Sequence, residues 1–186
     1  LEMTRIIKSG APYRNTILLA FTDAEETGLL GAEAFFAESP AARPVKAVIN
    51  LEGSGSSGPA YLLRTGPASG GLMAAFRDVA PHPFAQSFTE EIFKRMPNDT
   101  DFSVSLRAGL PGIDFAFAGE RNHYHTPLDS IANLDLSTLQ HHGENTLPLL
   151  RTLVDADLSA AAPNEVYANI SKRTWLHWSP ATGIVL

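Results

Sequence analysis

The stretch ILLAFTDAEETGLLGAEAFF, residues 17–36, decides how the chain is read. Its apolar run from Ile17 ends at Thr22, and Asp23, Glu25 and Glu26 then place three carboxylates within four positions. TILLAFT, residues 16–22, is apolar on both faces and β-compatible, which predicts a central strand buried on two sides. Gly28 to Glu38 returns Leu29, Leu30, Ala34, Phe35 and Phe36 near helical spacing, which predicts a helix. A buried strand that ends in crowded acids needs a positive charge or a shared proton to hold them.

The same grammar recurs downstream. Val45 to Leu51 (VKAVINL) predicts a second buried strand, ending in Glu52 and the run GSGSSG at 53–58. Tyr61 to Thr65 predicts a third strand. Gly112 to Ala118 (GIDFAFA) predicts a fourth, left by the polar loop GERNHYHTPLDS at 119–130. Between them Gly71 to Ala80 and Thr89 to Lys94 predict helices, and Leu136 to Val154 a long amphipathic one. PNDTD, residues 97–101, is a loop or cap before FSVSLRAG. Strands alternating with helices predict an α/β domain of three layers, a mixed and mostly parallel sheet flanked by helices. In such sheets ligands bind outside the carboxyl ends of strands. Glu25, Glu26, Glu52 and the His123-Tyr124-His125 loop are therefore expected to meet there.

The remaining composition sets limits. The chain has 186 residues, 44% of them hydrophobic, enough for one globular core. Formal net charge is -6 and no basic stripe occurs, so nucleic acid is not an expected partner. With no cysteine there is no disulfide framework, thiolate metal site or Cys nucleophile. No apolar run reaches the roughly 18 residues of a membrane span. Leu1 to Lys8 reads as the tail of an amphipathic helix stopped by Ser9-Gly10-Ala11-Pro12, not as a signal peptide. The chain opens without Met or a helix cap and ends in apolar Gly183-Ile184-Val185-Leu186, so a piece of a longer, N-terminally truncated protein is expected.

Position alone leaves two accounts of the acidic doublet open. Neighbouring residues leaving a strand point in different directions. One carboxylate can then ligate a metal while the other takes a proton from the water on that metal. A helix N-terminus, with Asp23 as N-cap and the acids in the first turn, fits equally well. Glu52 at a strand end also fits a solvated loop residue. His125 suits zinc as a neutral imidazole, with Asp129 placed to orient the ring, yet an ordinary loop His fits the position. Tyr124 can donate to a developing oxyanion or simply pack on the surface. His82, between two prolines, and the pair His141-His142 on the long helix read as structural or solvent-exposed.

Taken in order, DAEETGLLGA, INLEGSGSSGPAYLLRTGP, PNDTDF, GLPGIDFAFAG and YHTPLD resemble the M28 family of zinc-dependent aminopeptidases, within it the branch of the endoplasmic reticulum metallopeptidases. The resemblance covers roughly residues 1–155 in consistent order. It implies a zinc-peptidase fold with two zincs at the strand ends and removal of an N-terminal residue from a peptide. It implies Glu25 as general base, Glu26 and His125 as ligands of one zinc, and Glu52 as ligand of the other. It also implies two further ligands, a His from a His-x-Asp motif and a bridging Asp. No His-x-Asp occurs among the six histidines. Two ligands on one zinc and one on the other fall short of the three usual in catalytic zinc sites. This chain alone is therefore expected to be inactive and to bind zinc weakly or not at all.

Two segments are expected, a partial peptidase domain over 1–158 and a linker with an aromatic, strand-like extension over 159–186. EVYANISKRTWLHWSPATGIVL resembles, more loosely, the stretch before the membrane spans of that branch, and equally fits a final strand packing two Trp on the core. The first of these implies a membrane-anchored parent with this domain on the luminal or extracytoplasmic side. Strand edges left open are expected to favour a homodimer. Two competing functions share the acid and His pattern: a glutaminyl-cyclase-like enzyme with one zinc, and a non-catalytic pseudo-peptidase that binds peptides.

Overall fold

The computed structural model describes residues 1–10 and 12–183. Ala11, within the first helix stop, and the apolar tail 184–186 lie outside the described residues. In chain order the elements are α1 (Glu2–Lys8), α2 (Leu30–Glu38), β1 (Val48–Gly53), β2 (Tyr61–Thr65), α3 (Gly70–Val79), α4 (Ser87–Phe93), α5 (Phe102–Arg107), β3 (Gly112–Phe117), α6 (Leu136–Leu153), β4 (Val166–Ser171) and β5 (Thr174–Trp178).

The main sheet has the order β1-β3-β2, with β3 parallel to β1 and antiparallel to β2. β3 is central and all six of its residues are buried. Its alternation feeds two different faces. Ile113 and Phe115 pack with Leu62 of β2, with Leu72 and Phe76 of α3, and with Leu149 and Leu153 of α6. On the opposite face Asp114 meets residues next to α5, while α5 in turn packs on α2 through Val104, Leu29 and Ala32. Helices therefore cover both faces, which is the expected three-layer arrangement of a mixed sheet.

α6 forms where Asp135 caps it, accepting a hydrogen bond from the Ser137 N–H at 2.8 Å. It runs 18 residues through Pro148. β4 and β5 form a separate antiparallel hairpin. Tyr167 from β4 enters the main core, and Trp175 from β5 packs against it, edge-on to Phe76. Among the described residues no helix is long and apolar enough to cross a membrane.

One expected element is absent. Residues 16–22 pair with no strand among the described residues, and within these none of them makes a backbone–backbone hydrogen bond. Leu19 and Phe21 are 50% and 78% exposed instead of buried on two sides. Among the described residues, its hydrogen bonds lie near its ends. The Asn15 N–H donates to the Val154 carbonyl, and the Thr22 hydroxyl donates to the Asp101 carboxylate. The apolar, β-branched composition favours extended backbone, but a strand also needs a partner edge, and no described strand offers one there.

Candidate active site

The acidic doublet sits in a turn, not in a helix. α2 starts only at Leu30, so Glu25 and Glu26 precede its first turn and the helix-dipole account of them does not apply. The turn is held by its own backbone. The Glu25 carbonyl accepts from the N–H groups of Gly28 and Leu29 at 3.1 and 2.8 Å. The Ala24 carbonyl accepts from Leu30 and the Asp23 carbonyl from Gly31, at 3.2 and 3.0 Å. Gly31 permits this closure, because a Cβ there would lie 2.4 Å from the Asp23 carbonyl oxygen.

Backbone strain gathers around the same place. Ala24, Leu29, Glu120 and His125 all adopt positive φ, between 49° and 60°. Only Ala68 joins them among the described non-glycine residues. Left-handed backbone at residues with a Cβ is disfavoured by roughly 1–2 kcal/mol each, and such positions cluster where function requires them.

These loops meet beyond the carboxyl end of β1. Glu25, Glu26 and Glu52 line one cavity of about 170 Å³ together with Tyr124 and Arg121. His125 stands beside it: its Nε2 lies 2.5 Å from Glu26 Oε1, and its ring stacks on Tyr124 with centroids 3.8 Å apart. Glu52, Glu25, Glu26, Tyr124 and His125 are thus brought together as the sequence suggests. Asp129 is not joined to them by a hydrogen bond. It lies exposed in a turn with its N–H on the Thr126 carbonyl, and its carboxylate makes no hydrogen bond to the His125 ring. Arg121, a cation in the acidic cavity, was legible only as a lone Arg in the GERNHYHT loop. His82 and His141 pack near each other away from the cavity, and His142 is buried between Phe115 and Phe117.

Negative charge predominates in the site, with Arg121 in the cavity and His125 beside it opposing it. Burial, then the negative charges of Asp114, Glu25 and Asp101, push the Glu52 carboxyl up to about 7 against one opposing hydrogen bond from Asn50. Burial and the neighbours Glu26, Asp101 and Asp99 raise Glu25. Burial followed by Glu26 and Glu25 raises Tyr124, which keeps its hydroxyl a proton donor at neutral pH. Carboxylates and an imidazole are a donor set that zinc accepts. Glu26 Oε1 and His125 Nε2 share a hydrogen bond at 2.5 Å, which brings two atoms of zinc-ligating type side by side. No group of three or more His, Asp or Glu converges on a point among the described residues. The donors fit zinc in kind, with Glu26 and His125 on one side and Glu52 on the other.

The model of peptidase family M28 matches residues 1–150. This chain belongs to peptidase family M28. Among its relatives in the family, the human endoplasmic reticulum metallopeptidase 1 is 33% identical over 91% of this chain and 19% of its own length. The vacuolar membrane protease of Yarrowia lipolytica is 40% identical over 82% of this chain and 15% of its own. The chain thus spans about a fifth or less of the length of these relatives. A zinc aminopeptidase from Bacillus subtilis superimposes with a TM-score of 0.60 at 22% identity, over 86% of this chain and 40% of that one. At that identity the likeness is one of fold, and it places this M28 domain in the zinc-aminopeptidase architecture.

Proposed function

We propose that this domain supplies one wall of a zinc aminopeptidase site, which cleaves the N-terminal residue from a peptide with water. The observation that supports this best is the meeting of Glu25, Glu26, Glu52 and Tyr124 on one cavity with His125 against Glu26. Glu26 and His125 would hold one zinc and Glu52 the other. When bound, zinc lowers the pKa of water and polarises a carbonyl.

The side chains carry the rest of the reaction. Glu25, whose carboxyl is raised by burial and by its acidic neighbours, is suited to take a proton from water. The water oxygen bonds to the carbonyl carbon, the C–N bond breaks, and Glu25 returns the proton to the departing amine nitrogen. The Tyr124 hydroxyl donates to the oxygen as its negative charge grows. The surrounding carboxylates attract the substrate's free α-ammonium. With two ligands on one side and one on the other, this chain alone is inferred to be inactive. The names of the relatives, endoplasmic reticulum metallopeptidase and vacuolar membrane protease, support a place on the luminal or extracytoplasmic side of a membrane-anchored parent.

The test is Glu25→Gln in the full-length protein, assayed on Leu-nitroanilide and on an N-terminal Gln peptide. Zinc content should be unchanged and Leu release lost. Undiminished Leu release removes Glu25 as base. Cyclisation of the Gln peptide without Leu release in the unmodified protein identifies a glutaminyl-cyclase-like enzyme, and inactivity on both a pseudo-peptidase.

A further inference from the structure

Behind Glu52 lies a row of polar residues that the reaction above does not use. Asn50 and Glu52 are two apart on β1, so they share the α5-side face of the sheet. Asn50 is directly opposite Asp114 on β3, and Asp114 is opposite Arg64 on β2. The three side chains thus stand in line across three adjacent strands. Arg64 reaches this face because of an irregularity: the register of β2 shifts between Leu62 and Arg64. Leu62 pairs with Phe115 on the apolar face, and the bulge turns Arg64 to the other face, opposite Asp114.

The row is fully engaged. Asp114 is 0% exposed and Arg64 6%. Arg64 Nε donates to Asp114 Oδ2 at 3.0 Å, and the other guanidinium nitrogens donate to Ser103 and Thr100 at 2.8 and 2.6 Å. The guanidinium also lies 4.6 Å over the Phe93 ring. Burial works to raise the Asp114 carboxyl, and Arg64, Asn50 and Thr100 work against it. The Asn50 amide has two N–H groups. It donates to Asp114 Oδ1 at 2.9 Å and to Glu52 Oε1 at 3.2 Å. With carboxylates on both sides only the NH2 end of the amide fits there. Glu52 Oε2 makes no hydrogen bond among the described residues, and Glu52 lines the cavity.

A buried ion pair is a poor device for stability, since well-packed apolar residues commonly do as well or better. Its use here lies in direction. We propose that the buried Arg64–Asp114 pair, acting through Asn50, is a positioning device that fixes the Glu52 carboxylate and leaves one oxygen for the cavity. Asn50 is the positioning residue, and Arg64 and Asp114 are its anchor. This rests on the reading of Glu52 as a metal ligand.

The test compares Asn50→Leu, the double variant Arg64→Met with Asp114→Leu, and Glu52→Ala in the full-length protein. Zinc affinity is read by competition with a chromophoric chelator, and folding by thermal unfolding. Asn50→Leu and the double variant should bind zinc about 10- to 100-fold more weakly, the range found when a ligand loses its orienting partner. The double variant should unfold at or above the parent temperature. If both keep parental affinity while Glu52→Ala loses it, the positioning role is overturned and Glu52 stands as a ligand. If Glu52→Ala keeps parental affinity, Glu52 is no ligand and the inference falls with that reading. Should the double variant not fold, Asn50→Leu decides. A metal-free structure of the Asn50→Leu domain gives an independent readout: Glu52 should occupy more than one orientation, and an unchanged single orientation overturns the inference.

Discussion

Glu26 Oε1 and His125 Nε2 meet at 2.5 Å although 99 positions separate them in the chain. Both are exposed, and each sits on a turn with left-handed backbone next to or at it, Ala24 for Glu26 and His125 itself. The contact holds the two halves of the site together at the surface, not in the core.

An exposed pair of this kind stabilises by less than about 1 kcal/mol. Glu26→Ala and His125→Ala should therefore unfold within about 1 kcal/mol of the parent in urea titration, while zinc affinity of the full-length protein falls steeply. A loss of several kcal/mol in either variant would make the contact structural.

Gly31→Ala should act on the site from a distance. The new Cβ would meet the Asp23 carbonyl oxygen at 2.4 Å and the Asp23 nitrogen at 2.6 Å, and these backbone atoms move only with the turn that carries Glu25 and Glu26. Overpacking of this kind destabilises by about 1–3 kcal/mol. A displacement near 1 Å at a reacting group lowers turnover about 100-fold. Equal stability and equal turnover in the full-length protein would show that the turn adapts.

His142 should make the domain acid-sensitive. Burial, with the nearby His141, lowers its imidazole to about 4, against about 6.5 in an unfolded chain. The folded state thus binds fewer protons than the unfolded state between these values, so stability falls as pH drops from about 6.5 to 4 and is complete above 6.5. The full effect is on the order of 3 kcal/mol. Glu52, raised to about 7, acts in the opposite sense over an overlapping window: its stabilisation is present below about 4.5 and lost as pH rises through 7. The comparison of parent with His142→Leu isolates the histidine. The difference in unfolding free energy between pH 7.5 and 4.5 should shift by that amount, and parallel pH curves would rule the histidine out.

Phe76→Ala should cost about 3–5 kcal/mol, as for other large buried aromatics. Phe76 is fully enclosed, with its ring centroid 5.2 Å from Phe115 and 6.2 Å from Trp175 of the hairpin. Trp fluorescence should shift to the red in the folded variant as Trp175 loses that contact. An unshifted spectrum with unchanged stability would mean that the hairpin does not depend on this core.

Local pattern carried much of this protein into view. The apolar, β-compatible runs YLLRT and GIDFAF marked β2 and β3, and the helical period marked α3 and α6, because those signals arise within a few neighbouring residues. Acids and histidines at strand ends marked Glu25, Glu26, Glu52 and His125 as candidates, since composition and order suffice to place a loop after a strand. Three features were decided only by tertiary structure. Residues 16–22 have the composition of a buried strand, but pairing depends on a partner edge that composition does not contain. Asp129 is close to His125 in sequence, but ring orientation follows from the turn and from Glu26. The alignment of Asn50, Asp114 and Arg64 behind Glu52 depends on strand order β1-β3-β2 and on one bulge in β2. Register is a property of pairs of strands, and no single segment encodes it.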